Sequence, residues 1–242
     1  MKDNKVLKEI IAAKRKNPYT EDKSIKQLRE ETEVSGSKIP LPENTKIEKI
    51  MADGVYAEWI TCGNVNAEKI FMFIHGGGYY RGSIASTRAT VARISEQAGV
   101  RCLSIDYRLA PEYPFPAAID DTYTVYNWIV KQGINPTNII VSGQSAGGGL
   151  CLALLLKIKD DKGAQPLGAV AISPWTDLSQ SGDTMKTNED IDPIISKKYL
   201  DRMAGLYLKG SPFSLPLASP LFGNLSKLPP ILIQVGTAET ML

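Results

Sequence analysis

Ser145 stands at the centre of Gly143-Gln144-Ser145-Ala146-Gly147, a G-x-S-x-G pentapeptide. Thr137 to Ser142, just before it, reads as a short buried strand, and the apolar run Leu150 to Leu156 after it reads as a helix packed on a sheet. A serine on such a sharp strand-to-helix turn is strained, with its hydroxyl exposed. The Ala146 amide then opens the helix, where negative charge growing on a carbonyl oxygen is stabilised. A purely structural turn or a phosphate-binding junction would use the same small residues. The second block, His75-Gly76-Gly77-Gly78, follows the apolar stretch Lys69 to Ile74. Gly76 and Gly77 can aim their amides into a cavity because no side chain restricts their backbone. Together with the Ala146 amide they would form an oxyanion hole, each donor commonly contributing about 3 kcal/mol in the transition state. A carboxylate at a later strand end completes the set: Glu239, 94 residues after Ser145, follows Ile231 to Val235. Asp177 is the runner-up acid, and Asp190 and Asp192 are weaker candidates.

A base is harder to find. The chain has one histidine, His75, which excludes an H-E-x-x-H zinc site and any Ser-His-acid triad that does not use His75 itself. Its backbone is committed to presenting the adjacent glycines, so its ring is expected to orient that loop by hydrogen bonding. Ser145 is therefore expected to lack a proton acceptor within these residues.

The elements that must position these groups alternate. Two short helices, Asn4 to Lys14 and Ser24 to Thr32, are separated by Lys16 to Tyr19, with Asp22 or Ser24 as the cap of the second. They could be a stabilising flap or part of a lid. Thr45 to Ile50 and Val55 to Ile60 alternate around Asp53-Gly54, as an antiparallel pair does. Thereafter buried strands (Lys69–Ile74, Val100–Ile105, Asn138–Ser142, Leu167–Ser173, Ile231–Val235) alternate with helices that include Ala117–Lys131 and Ser145–Lys159. That repetition predicts a mostly parallel, doubly wound α/β sheet whose ligands lie beyond the carboxyl ends of the strands. Leu178 to Leu228 has no central strand and one expected helix, Ser196 to Lys209.

Composition narrows the function classes. At 242 residues, 43% hydrophobic and 22% charged, the chain suits one domain with one substantial core. With 28 Lys and Arg against 26 Asp and Glu there is no excess of positive charge for a nucleic-acid surface. No apolar run approaches the roughly 18 residues of a membrane span, the amino end is amphipathic rather than a secretory leader, and the three cysteines are widely spaced. A cytoplasmic protein without stable membrane insertion is the expectation. No dinucleotide or nucleotide-triphosphate loop is present, so no cofactor and no metal is expected.

Four blocks in order resemble the hormone-sensitive-lipase-like family of α/β-hydrolase esterases. They are His75-Gly76-Gly77-Gly78; Asp106-Tyr107-Arg108-Leu109-Ala110-Pro111-Glu112 with Phe115-Pro116-Ala117-Ala118; Gly143 to Gly147; and Ser173-Pro174-Trp175-Thr176-Asp177-Leu178. The resemblance implies an α/β-hydrolase fold with a helical cap at about residues 1–38 and 180–210, the whole of 1–242 forming one domain. It implies hydrolysis of small-molecule esters with short to medium acyl chains, without a cofactor. Ser145 would be the nucleophile, Gly76, Gly77 and Ala146 the oxyanion hole, and Glu239 the acid, where the family usually has Asp. Asp106 and Arg108 would be supports holding the oxyanion loop. Members continue through another helix, strand and helix that carry the catalytic histidine, so this sequence reads as a truncated, inactive or crippled form whose last strand lies at a bare edge. A non-catalytic ligand binder, or a module that self-associates into a homo-oligomer through that edge, is the alternative.

Overall fold

The computed structural model describes residues 5–16 and 23–242. The expected helix start at Asn4, the separator Asn17 to Tyr19 and the alternative cap Asp22 lie outside the described residues. Helix α1 (Lys5–Lys16) runs through Lys16, a residue expected in the separator. Helix α2 (Ile25–Ser37) starts at a capping box, in which Ser24 Oγ accepts from the Gln27 amide and Gln27 Oε1 accepts from the Ser24 amide. It continues past Thr32 because Gly36 lets it press against the backbone of Ser86, too close for any Cβ.

Strands β1 (Thr45–Ala52) and β2 (Val55–Cys62) form the expected hairpin. Asp53 (φ 47°) and Gly54 (φ 94°) take the paired positive φ values that a two-residue turn needs. Then come β3 (Asn66–Ile74), α3 (Ile84–Ala98), β4 (Val100–Ile105), α4 (Ala117–Lys131), β5 (Ile139–Gln144), α5 (Ala146–Asp160) and β6 (Gly168–Ile172). The short α6 (Thr184–Thr187), α7 (Lys197–Leu208) and β7 (Ile231–Gln234) complete the order. The seven strands form one sheet in the order β1-β2-β4-β3-β5-β6-β7. The β1/β2 and β2/β4 pairs are antiparallel and the other four are parallel.

The core is concentrated where the sheet meets α5. Leu150, Cys151, Ala153, Leu154 and Leu155 are all within about a percent of full burial, which is why this helix is apolar all round rather than amphipathic. On the opposite face Glu58 of β2 is buried with its charge. Arg88 donates to it through Nε (2.8 Å) and Nη2 (2.9 Å), and Tyr56 Oη donates at 2.9 Å. Burial pushes the Glu58 carboxyl up, but the Arg88 and Tyr56 hydrogen bonds and the Arg88 charge outweigh it and hold the group below its ordinary range. At the far edge β7 pairs with β6 alone among the described strands, and Leu232 and Ile233 are more than half exposed.

Candidate active site

Ser145 sits between β5 and α5 at φ 55°, ψ −121°, a conformation that a non-glycine residue holds only where its surroundings enforce it. They do so on both sides of the peptide. The Ser145 amide donates to Ile172 O at 2.9 Å, and Ser145 O accepts from the Gly149 and Trp175 amides at 3.0 Å each. The turn closes only because Gly147 packs on the Ile74 and His75 carbonyls, where a methyl group would collide with backbone. Ala146 is the first, fully buried residue of α5, so its amide lies at the positive end of that helix.

The glycine loop after β3 faces this turn. A methyl on Gly76 would lie 3.3 Å from Ser145 Cβ and 2.8 Å from Gln144 O, so the two strand ends are in direct apposition. Gly77 has φ 122°, which only glycine adopts readily, and its carbonyl accepts from the Tyr80 (3.3 Å) and Arg81 (3.1 Å) amides. Gly76, Gly77, Gln144 and Ser145 line a cavity of about 700 Å³. Its other walls come from Ala13, Lys14 and Leu28 at the amino end and from Ile194, Tyr199 and Met203 of the late excursion.

His75 is 1% exposed and turned away from service as a base. Its Nδ1 lies 2.8 Å from Gly76 O; a carbonyl only accepts, so this nitrogen carries the proton. The ring stacks on Tyr107 (centroids 4.3 Å apart, 13° between planes), whose hydroxyl donates to His75 O at 3.0 Å. Burial pulls the imidazole down to about 4, partly opposed by the Gly76 hydrogen bond. Nε2 is 3.9 Å from Asp106 Oδ1, too long for a hydrogen bond. Asp106 instead accepts from the Ile84 amide at 2.7 Å, anchoring the start of α3 just beyond the loop. Burial pushes its carboxyl up to about 6, with the Ile84 bond opposing and the charges of Glu33 and Glu58 adding.

Arg108, expected beside the glycine loop, does not reach it. Its Nε and Nη2 both bond the Asp121 carboxylate, at 2.7–3.0 Å, because this buried carboxylate on α4 needs a cationic partner. The loop is gripped instead by Arg29 of α2, which donates through Nε to Tyr80 O at 2.8 Å. Nothing near Arg29 in sequence signals this contact, since its partners lie 51 or more residues away.

Glu239 follows β7. Its Oε1 accepts from Ser173 Oγ and from the Gly236 amide, both at 2.8 Å. Ser173 follows β6, the strand between those that carry Ser145 and Glu239. The late excursion clamps the segment around Glu239. Asn188 Nδ2 donates to Thr237 O (3.2 Å) and Glu239 O (2.8 Å), and Thr184 Oγ1 donates to Thr240 O (2.8 Å). Asp192, a weak acid candidate by sequence, accepts from the Thr240 amide at 3.0 Å. Asp177 is spent on a local turn: it accepts from the amides and hydroxyls of Ser179 and Ser181. These bonds, against opposing burial, hold its carboxyl below the ordinary range. Among the described residues no group of three His, Cys, Asp or Glu side chains could hold a metal ion, and no helix is long and apolar enough to cross a membrane.

A strained serine between a parallel strand and a buried helix, facing a glycine loop from the neighbouring strand, defines an α/β hydrolase. A family profile described as alpha/beta hydrolase fold matches residues 71–242. An acetyl-hydrolase of Streptomyces hygroscopicus is 38% identical over 185 residues, 76% of this chain and 62% of that protein. An esterase of Acinetobacter venetianus is 36% identical over 205 residues, 83% of this chain and 67% of that one. The crystal structure of an esterase from the bacterial hormone-sensitive lipase family superposes with a TM-score of 0.95 at 38% identity, covering 100% of this chain and 81% of that one. The chain belongs to the hormone-sensitive-lipase family of α/β-hydrolase esterases. It spans less than two thirds of the length of several curated relatives, for example 62% of the acetyl-hydrolase.

Proposed function

We propose that the protein hydrolyses small carboxylic esters with short to medium acyl chains through an acyl-enzyme on Ser145. The observation that carries this reading is the apposition of Ser145, held at φ 55°, to Gly76 across one shared cavity. Ser145 Oγ attacks the ester carbonyl as its proton passes to a base, and the carbonyl oxygen takes the negative charge. The Gly76, Gly77 and Ala146 amides hold that oxyanion. The tetrahedral intermediate collapses, expelling the alcohol with the base's proton, and water repeats the sequence on the acyl-enzyme. Glu239 orients the base and stabilises its charged form. His75 is not that base, because its ring is buried, stacked and bonded to Gly76 O. The imidazole is supplied from outside these 242 residues, as in the family that the sequence resembles. The segments at about 1–38 and 180–210 act as the cap, a role supported by the cavity walls they provide.

The test is the intact mass of protein expressed from its complete reading frame, followed by a p-nitrophenyl butyrate assay on that sample and on its Ser145→Ala variant. Turnover abolished by the substitution, with the isolated 242 residues at least about a thousandfold slower, is the expected outcome. Saturable ester binding without turnover by the complete protein would replace this reading with that of a non-catalytic ligand binder. For the isolated 242 residues we further propose self-association through β7, supported by exposed Leu232 and Ile233 and checked by sedimentation velocity. A cytoplasmic location is proposed on the three free, buried cysteines, and cell fractionation checks it.

A further inference from the structure

We infer that Arg29 is a positioning residue for the oxyanion glycines, so that helix α2 sets the geometry of catalysis as well as walling the cavity. This inference rests on the esterase reading of the site. The Arg29 guanidinium is a four-way junction. Nε donates to Tyr80 O at 2.8 Å, Nη2 donates to Ala110 O at 2.9 Å, and Nη1 and Nη2 bond the two oxygens of Glu112 at 2.9 and 2.7 Å. Ala110 in turn donates its amide to Tyr79 O at 2.9 Å. The Tyr79-Tyr80 backbone is therefore tied to Ala110 twice, once directly and once through Arg29.

This grip reaches the glycines through one turn. The Tyr80 and Arg81 amides both bond Gly77 O, so the plane of the peptide after Gly77 follows the position of Tyr80. Gly77 has no side chain to resist rotation, and its φ of 122° is a state that glycine leaves as easily as it enters. Fixing Tyr80 O with a cationic donor supplies the restraint that Gly77 lacks. The same face of α2 repeats the contact one turn later, where Glu33 accepts from Ser83 Oγ, and two turns later, where Gly36 packs on Ser86. The spacing 29, 33 and 36 puts these contacts on one stripe of the helix. Substrates meet the adjoining face of α2, where Leu28, Glu31 and Gly36 line the cavity. A change of cap packing on ester binding can thus be felt at the oxyanion hole through Arg29.

The experiment compares Arg29→Met, which keeps the apolar stem and removes the donors, with Arg29→Lys, which keeps the charge. Both are made in protein from the complete reading frame and assayed well below the melting temperature of each. With p-nitrophenyl butyrate, Arg29→Met is expected to lower kcat about tenfold with KM changed less than about twofold, and Arg29→Lys to recover part of kcat. In parallel, amide hydrogen exchange across residues 76–82 is expected to quicken by about tenfold in Arg29→Met while β5 is unaffected. Retained kcat with altered KM, or unchanged exchange across 76–82, overturns the inference. A wild type without turnover would end the esterase reading; the exchange comparison still decides the restraint. If Arg29→Met does not fold, the same two readouts on Arg29→Lys against wild type decide it.

Discussion

Acidifying the protein should expose the cost of burying its single imidazole. Neutral His75 is sealed under Tyr107 with its Nδ1 proton given to Gly76 O, and its folded value of about 4 compares with 6.5 for a free histidine. The unfolded chain takes up a proton as pH falls through 6.5, whereas the folded chain refuses it until about 4. Protons therefore favour unfolding throughout that window. The contribution is full above pH 6.5 and lost as pH falls to about 4, amounting to about 3 kcal/mol. Asp106, 3.9 Å from the ring, acts in the opposite sense. Burial raises its folded value to about 6 from 3.8, so its share is fully present below pH 3.8 and fades as pH rises through 6. The two slopes overlap and partly cancel, so an overall pH–stability curve understates each. The assay is urea unfolding of wild type and His75→Gln from pH 7 to pH 4. Asp106 contributes to both proteins, and the stability advantage of wild type should shrink by about 3 kcal/mol across the range. Because the sequence holds one histidine, a single imidazole resonance followed by NMR gives the folded value directly. A midpoint near 6.5, or a wild-type advantage independent of pH, would refute the buried, neutral ring.

Two further outcomes concern strain and charge. Ser145→Gly should abolish ester turnover while raising stability by about 1 kcal/mol, read from the urea midpoint, because glycine accepts φ 55° without penalty. Arg88→Met strands the buried Glu58 carboxylate and should cost about 3 kcal/mol or more at pH 7. Without Arg88 the carboxyl rises above its ordinary range, so the loss should ease at pH 5, and adding Glu58→Gln should restore much of it.

What the sequence revealed was local. The strand at Val100–Ile105 and the helix at Ala117–Lys131 were legible to the residue, since each is bounded by its own punctuation: Gly99 before the strand, Pro116 and Gly133 around the helix. The turn at Ser145 and the glycines at 76–78 were legible because their chemistry depends on small residues at fixed spacing. Long-range assignments were not. Nothing in the pattern of β4 says that it lies between β2 and β3. Arg108 sits in a conspicuous motif yet serves α4, while Arg29, in a helix that carries no motif, holds the turn after Gly77. A guanidinium reaches whichever carbonyl or carboxylate the fold brings near it, and that partner leaves no periodic trace in the sequence. Asp192 and Asn188 were missed as supports of Glu239 for the same reason.

Those last contacts bear on how the cavity can be modified. Thr184, Asn188 and Asp192 are all spent on the segment from Thr237 to Thr240. The excursion that walls the cavity and the loop that carries Glu239 are thus one mechanical unit. Exchanging residues 184–192 for those of a relative to broaden the choice of ester would move Glu239 with them. A graft confined to Ile194, Tyr199 and Met203 would leave that unit intact, so library diversity for altered selectivity belongs there.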